Sequence, residues 1–134
     1  MIAILKQTKE IRNKYGVLHF KRFSIFSING VGLFIHYFTQ NDKEVHEHDH
    51  PWNFSTIILK GGYTEQHLGN FSDRKFLSYK KFDAEHPHRI HKLFGKYCIT
   101  LAFIGKRIRE WGYQTENGWI DHKTYRELKR NKKL

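Results

Sequence analysis

The sequence predicts an all-β fold, a sandwich or barrel of short strands with a short helix near its C-terminal end. Apolar and polar residues alternate with a period of two through most of the chain, as they do in half-buried strands. Ten glycines and only two prolines divide the apolar runs into short segments at fairly regular spacing. A length of 134 residues with 39% hydrophobic side chains predicts one domain over residues 1–134.

The first third of the chain is predicted to contain a short helix and two strands separated by a turn. A short helix is expected over residues 4–14. The runs at 17–28 and 33–38 are rich in aromatic and β-branched residues and predict two strands. Asn29-Gly30 between them is a turn signal.

A second pair of strands is predicted in the middle of the chain. Residues 53–60 form an apolar run that ends at Gly61-Gly62, and residues 63–68 continue from these glycines. Because two glycines can make a tight reversal, we expect the two runs to pair as a hairpin.

The C-terminal half is predicted to add three strands and the helix. Strands are expected at 75–82, at 97–104, which is the most apolar run, and at 107–113. Residues 121–131 contain good helix formers and begin with Asp121, a typical N-cap residue.

Composition excludes several classes of protein. The single cysteine, Cys98, excludes a disulfide scaffold and a thiolate zinc knuckle within one chain, and we expect it to be an inert core thiol. No apolar run approaches the roughly 20 residues of a membrane span. The N-terminal residues lack the basic and apolar regions of a signal peptide, so a cytoplasmic location without membrane contact is expected.

The chain is strongly basic, and the charge is uneven. The formal net charge is +11. Residues 1–67 hold 8 basic and 6 acidic side chains, whereas residues 68–134 hold 16 basic and 7 acidic side chains. This balance favours anionic partners, and nucleic acid could bind through the basic C-terminal half. The basic tail at about 123–134 has two interpretations, a solvated end of the chain or an arm that contacts phosphates.

Six of the ten histidines lie in two short segments, at 45–52 and 85–91. In an extended chain, His48 and His50 point to the same side, and Pro51 disfavours the helical conformation at His50. Two such imidazoles and a third from a later strand can hold a first-row divalent metal with open coordination positions. The alternative is that the clustered histidines are exposed loop residues or hydrogen-bonded core groups.

The ordered motifs resemble those of the cupin superfamily over roughly residues 30–125. They are His48-Asp49-His50, the turn at 61–65 with the sequence Gly-Gly-Tyr-Thr-Glu, and Pro87-His88-Arg89-Ile90. The string His-Asp-His-Pro-Trp-Asn-Phe and the later Glu-Trp-Gly-Tyr and Gly-Trp-Ile resemble small bacterial and phage cupins. The resemblance implies a single cupin domain, a double-stranded β-helix or jelly-roll barrel, with a metal bound by His48, His50 and His88.

One departure from the cupin pattern affects the predicted ligand set. Many cupins carry a glutamate ligand four or five residues after the second histidine, and Phe54 and Ser55 occupy those positions here. The site would then resemble the three-histidine centre of thiol dioxygenases, which bind ferrous iron. One divalent ion is therefore expected, with iron favoured and zinc, nickel or copper left open.

Further site residues are assigned on the strand that follows the glycine turn. Tyr63 and His67 are the expected catalytic residues, which would supply a proton or orient bound oxygen. Glu65 alternates with them and would act either as a fourth ligand or as the acceptor that sets a histidine tautomer. His46 is expected around the ligands or exposed.

The remaining polar and aromatic residues have less specific roles. Asp49 is predicted to fix its loop as a hydrogen-bond acceptor. Arg89 is predicted to form a structural ion pair, with substrate anchoring as the alternative. Five aromatic residues would either fill the barrel core or line a ligand mouth: Trp52, Tyr63, Trp111, Tyr113 and Trp119.

Several functions fit this site. The leading hypothesis is a metal-dependent, dioxygenase-like oxidoreductase that acts on a small-molecule substrate, and a redox-inactive metal would favour isomerase or hydrolytic chemistry. The alternative is a non-catalytic, metal-stabilised binding module for an anionic ligand such as a nucleotide, a sugar phosphate or nucleic acid. A third hypothesis is a cupin whose metal site is empty and which is kept for its interactions. A homodimer formed through an edge strand is also expected.

Overall fold

The structure, a computed structural model, describes residues 5–133 as eleven strands followed by one helix. The strands are β1 Lys6–Arg12, β2 Leu18–Ile28, β3 Val31–Phe38, β4 Phe54–Lys60, β5 Tyr63–His67, β6 Asn70–Arg74, β7 Tyr79–Phe82, β8 Arg89–Leu93, β9 Cys98–Ile104, β10 Gly112–Thr115 and β11 Gly118–Asp121, and the helix is α1 His122–Arg130. The prediction of an all-β fold with a short terminal helix is confirmed.

The strands form a large sheet, a small sheet and a separate hairpin, all antiparallel. The large sheet has the order β1-β2-β3-β9-β4-β7, the small sheet the order β6-β5-β8, and β10 pairs with β11. The main core cluster contains residues from β4 and β9 of the large sheet and from β5 and β8 of the small one: Ile58, Tyr63, Ile90, Leu93 and Cys98. The inner faces of the two sheets therefore pack against each other, as strand alternation requires.

The turn predicted at Asn29-Gly30 is confirmed, and it joins β2 and β3 as a hairpin. Asn29 and Gly30 both have positive φ angles, 53° and 82°, and Ile28 pairs with Val31 across the turn. Two consecutive residues in the left-handed region give the turn whose twist matches the flanking strands.

The predicted N-terminal helix is wrong. Residues 6–12 form the edge strand β1, which pairs antiparallel with β2, and residue 4 lies outside the described residues. Helix propensity over so short a segment is weak, and a ladder of hydrogen bonds with β2 outweighs it.

The hairpin predicted at Gly61-Gly62 is also wrong. β4 belongs to the large sheet and β5 to the small one, so the chain crosses between sheets at these glycines. Gly61 has a φ of 75°, and a Cβ placed there would lie 2.5 Å from the Tyr97 carbonyl oxygen. The glycines therefore allow a close crossing of two backbone segments.

Strand boundaries in the C-terminal half differ from the predictions. Within the segment predicted at 75–82, only β7 is a strand, and the strand predicted at 107–113 is mostly loop. The strand predicted at 97–104 corresponds to β9. Strand β8 has no counterpart among the predicted strands.

The C-terminal helix is confirmed, with Asp121 as its N-cap. The side chain of Asp121 accepts hydrogen bonds from the backbone N–H groups of Lys123 and Thr124 at 3.1 and 3.0 Å. The helix includes most of the predicted basic tail, and its Lys129 forms an ion pair with Glu44. Within residues 5–133, no helix is long and apolar enough to cross a membrane.

Candidate metal centre

Three histidines predicted as ligands converge on one point. One ring nitrogen from each of His48, His50 and His88 lies within 4.8 Å of the other two. Their ring centroids are separated by 5.0 Å for His48 and His50 and by 5.1 Å for each of them and His88. Three nitrogens at these separations can bind a single ion.

Backbone pairing outside the named strands positions these rings. His48 and His88 exchange two backbone hydrogen bonds, both 2.9 Å long, and the N–H of His50 donates to the carbonyl of Ala84. The segment containing His48 and His50 is thus held in extended conformation against the residues that lead into β8. Residues two apart in such a segment face the same side, as predicted from their spacing.

Glu65 holds the ring of His88 from behind. Its Oε1 lies 2.7 Å from Nδ1 of His88, and its Oε2 lies 2.8 Å from Nζ of Lys80. Burial alone would raise the pKa of Glu65, but the contacts with His88 and Lys80 outweigh it and lower this pKa to about 2. An ionised carboxylate only accepts hydrogen bonds, so Nδ1 of His88 donates and its Nε2 is the ring nitrogen left to bind an ion. Both oxygens of Glu65 are engaged, which favours its predicted role as acceptor over that of a fourth ligand.

The imidazoles have nitrogens that suit a cation. Nδ1 of His50 and Nε2 of His88 are buried and have no hydrogen-bond partner among residues 5–133. Burial lowers the pKa of His48 to about 4 and that of His50 well below its usual value, so both rings are neutral. Buried polar atoms without partners are costly, and a bound metal ion would satisfy them. These residues therefore fit a metal ion.

Asp42 is a site residue that the sequence analysis missed. Its Oδ2 lies 3.9 Å from Nδ1 of His48 and accepts a hydrogen bond from the N–H of Ile90. Arg89 supports the same loop by donating to the backbone carbonyls of Asp42 and Glu44. The ion pair predicted for Arg89 is wrong, because these acceptors are carbonyls. No local motif marks Asp42, which reaches the site only through the loop after β3.

A cavity of about 440 Å³ opens in front of the three histidines. Four of the five aromatic residues predicted to fill the core or line a ligand mouth line this cavity, namely Trp52, Tyr63, Trp111 and Tyr113. The Tyr63 hydroxyl accepts a hydrogen bond from Arg74 at 3.2 Å, and burial raises its pKa. Tyr63 is therefore a protonated hydrogen-bond donor at the cavity wall.

Two other predicted site residues lie away from the cavity. The ring of His67 stacks on His86 at 3.8 Å between centroids, and its Nδ1 donates to the carbonyl of Pro87. Nδ1 of His46 lies 2.7 Å from the Tyr125 hydroxyl, on the side of α1. Alternation along a strand gives the face of a residue but not where the cavity ends. The catalytic role expected for His67 and the position expected for His46, around the ligands or exposed, stay predictions.

Asp49 and Cys98 are placed as predicted. The carboxylate of Asp49 is 2% exposed and accepts from the N–H of Gly112 and from Nε1 of Trp119. Asp49 therefore fixes the segment that contains His48 and His50 to β10 and β11. Cys98 is completely buried, and burial raises the pKa of its thiol to about 11.

Solved structures share this fold at low sequence identity. A cupin-2 domain from Rhodospirillum rubrum superposes with a TM-score of 0.61 and 16% identity over 92% of this chain and 82% of that one. A cupin 2 conserved barrel domain protein from Rhodopseudomonas palustris superposes with a TM-score of 0.57 and 14% sequence identity over 95% of this chain and 86% of that one. Fe(II) HppE superposes with a TM-score of 0.62 and 10% sequence identity over 78% of this chain and 58% of that one. Neither the protein-family models nor the curated proteins include a match to this sequence.

Proposed function

We propose that this chain, which has the cupin fold, binds one divalent metal through His48, His50 and His88 and acts as an enzyme on a small molecule held in the barrel cavity. The observation that carries the proposal is the convergence of three imidazoles, two of which present buried nitrogens without partners among the described residues. A cavity of about 440 Å³ is the size of a small-molecule site.

Iron and oxygen-dependent oxidation are the favoured metal and reaction class. Neutral imidazole suits iron, zinc, nickel and copper, and three protein ligands leave coordination positions open. Iron is favoured because a structure of the same fold is described as Fe(II) HppE. When bound, ferrous iron would supply a redox-active Lewis acid with positions open to a chelating substrate and oxygen.

The protein's own residues would prepare this site for the metal and the substrate. Glu65 keeps His88 in the tautomer whose Nε2 faces the centre. Trp52 and Trp111 in the cavity wall would present apolar surface to the substrate. The hydroxyl of Tyr63 would donate a hydrogen bond to a substrate oxygen, since it stays protonated.

Metal analysis of variants tests the proposal. The purified protein should contain about one ion per chain, and His48→Ala and His88→Ala should each lose it. His91→Ala is the matched control, because this exposed histidine contacts Phe71 and Arg89 and lies outside the cluster. Unchanged metal content in His48→Ala or His88→Ala, with folding verified by circular dichroism, would exclude that residue as a ligand.

A binding module without catalysis is the second candidate, and the net charge of +11 favours it. The affinity of such a module for an anion should fall steeply as salt rises. An oxidase or oxygenase should instead consume oxygen only with iron and a matched substrate. Oxygen uptake by the iron-loaded protein over a panel of small anionic compounds, repeated in His88→Ala, separates the two.

A further inference from the structure

A row of polar side chains crosses the inner face of the large sheet and enters the cavity. Lys9 on β1 pairs with Arg22 on β2, Arg22 pairs with His36 on β3, and His36 pairs with Thr100 on β9. All four residues line the cavity that contains the three clustered histidines. We call Lys9, Arg22, His36 and Thr100 the polar row.

The two cations at the outer end of the polar row have no acidic partner. Within residues 5–133, no carboxylate lies within 4.0 Å of Lys9 or Arg22, whereas Arg12 and Lys21 both contact Glu10. Nε of Arg22 donates to the Thr8 hydroxyl at 3.2 Å, and its two terminal nitrogens donate no hydrogen bond to any described residue. Like charges directly opposite each other destabilise a sheet, so this pair is costly in the absence of an anion.

The inner end of the polar row has unused hydrogen-bonding groups. Nε2 of His36 and Oγ1 of Thr100 are buried without a partner among the described residues, and Thr100 is only 2% exposed. Native structures rarely leave such atoms unsatisfied. These two groups therefore suit the polar atoms of a ligand.

The acidic residues of the cavity wall are already engaged elsewhere. Asp42 faces His48 and accepts from the N–H of Ile90. Glu44 accepts from the Tyr125 hydroxyl and pairs with Lys129. The guanidinium of Arg22 lies over the Phe34 ring, 5.2 Å from its centroid, but neither Arg22 nor Lys9 has an anionic partner among the described residues. Their charges are thus left for a ligand from outside.

We propose that the polar row binds the oxyanion group, carboxylate or phosphate, of the small molecule on which the three histidines act. Arg22 would bind two oxygens with its planar fork, Lys9 would add a second positive charge, and His36 and Thr100 would contact polar atoms further in. The proposal rests on the proposed function, since the polar row positions a substrate only if the histidine site transforms one. Adjacent strands are about 4.8 Å apart, so the backbone separation from Arg22 to Thr100 is about 10 Å, which suits a small molecule rather than nucleic acid.

Thermal unfolding of the metal-free protein tests the polar row without any catalytic assay. Inorganic phosphate and acetate would be titrated against sodium chloride at matched ionic strength, and an apparent affinity taken from the rise in Tm. The variants are Lys9→Gln and Arg22→Gln, with Arg22→Lys as a conservative change. Lys21→Gln is the matched control, because Lys21 neighbours Arg22 in sequence but contacts Glu10 and lies outside this cavity lining.

Phosphate or acetate should raise the Tm of the wild type and of Lys21→Gln beyond the effect of chloride. The apparent affinity should fall by about tenfold or more in Lys9→Gln and Arg22→Gln and by less in Arg22→Lys. The anion with the larger effect identifies the oxyanion. The proposal is overturned if the wild type shows no rise beyond chloride, if Arg22→Gln and Lys9→Gln respond like the wild type, or if Lys21→Gln loses the response equally.

Two further measurements keep this result separate from the metal proposal. His48→Ala should retain the anion response. A wild-type protein that binds phosphate or acetate but takes up no metal would refute the proposed function and not the anion site. Without ligand at low salt, Lys9→Gln should raise the Tm by about one to a few degrees because it removes the repulsion from Arg22. No such rise in Lys9→Gln would contradict the claim that the two cations repel each other.

Discussion

Single side chains determine how the histidine site is prepared for a metal, and Glu65 has the largest part. This carboxylate is fully buried, yet it stays ionised because His88 and Lys80 contact its two oxygens. Its position behind His88 sets which ring nitrogen faces the centre. Removing its charge therefore tests the preparation of the site without removing a ligand.

Glu65→Gln should weaken metal binding by about 10–100-fold, since a neutral amide no longer fixes the tautomer of His88. Competition for the metal with a chelator of known affinity measures the effect. Glu116→Gln is the control, because Glu116 is exposed and contacts only His46 among the described histidines. Equal affinities in Glu65→Gln and the wild type would show that Glu65 has no such role.

Cys98 should be inert in the folded protein. Burial raises the pKa of its thiol to about 11, so the thiolate that reacts with disulfide reagents is scarce at about pH 8. The native protein should therefore be labelled slowly, at the rate of unfolding, and the protein in denaturant rapidly. Fast labelling of the native protein would contradict the buried position of Cys98.

At the scale of elements, the crossing from β4 to β5 separates the two sheets that enclose the cavity. Gly61 makes it possible, because its positive φ and its contact with the Tyr97 carbonyl both exclude a Cβ. Gly69 also has a positive φ, 78°, but nothing lies within 4 Å of where its Cβ would be. Alanine substitutions at these two glycines therefore separate the free-energy cost of a left-handed backbone from the cost of a backbone contact that is too close.

Gly69→Ala should destabilise the protein by about 1–2 kcal/mol, the cost of a left-handed alanine. Gly61→Ala should cost at least about 1 kcal/mol more, since backbone atoms must also move. Denaturant unfolding of both variants gives the comparison. Equal losses would mean that the crossing relaxes without cost.

The helix α1 shows how one element closes the barrel end near the site. Tyr125 stacks on Tyr113 at 3.9 Å between ring centroids, and His122 stacks on Trp111 at 4.5 Å. Both partners on the barrel side line the cavity. The basic C-terminal segment is thus partly a structural element of the site wall, and its predicted contact with phosphates stays a prediction.

Stability of the whole molecule should depend on pH through the buried histidines. Burial, reinforced by the charges of Arg22 and Lys9, lowers the pKa of His36 to about 3. Between about pH 6.5 and 3 the unfolded chain binds a proton at this residue and the folded chain does not. Folding stability is therefore lost as the pH falls through this range.

Between about pH 7 and pH 4.5, the free energy of unfolding of the metal-free protein should fall by roughly 2–3 kcal/mol less in His36→Gln than in the wild type. The reason is that glutamine cannot be protonated. Urea unfolding of both proteins at about pH 7 and pH 4.5 measures the difference. The same pH dependence in both would contradict a neutral, buried His36.

Much of this protein follows from local sequence patterns. Period-two alternation predicted the all-β class, Asn29-Gly30 the turn after the first long strand, and Asp121 the start of the helix, because each depends on residues close in sequence. The spacing of His48 and His50 predicted that they share a side for the same reason.

Tertiary structure alone decided which distant groups meet. The crossing at Gly61, the approach of Asp42 to His48, the position of His67 outside the cavity and the alignment of Lys9 with Arg22 depend on which strands become neighbours. Strand pairing joins residues far apart in the chain, and local propensity carries no information on the partner. The sequence therefore determined the class of fold and the candidate ligands, whereas the tertiary structure decided the cavity around them and the cations that face it.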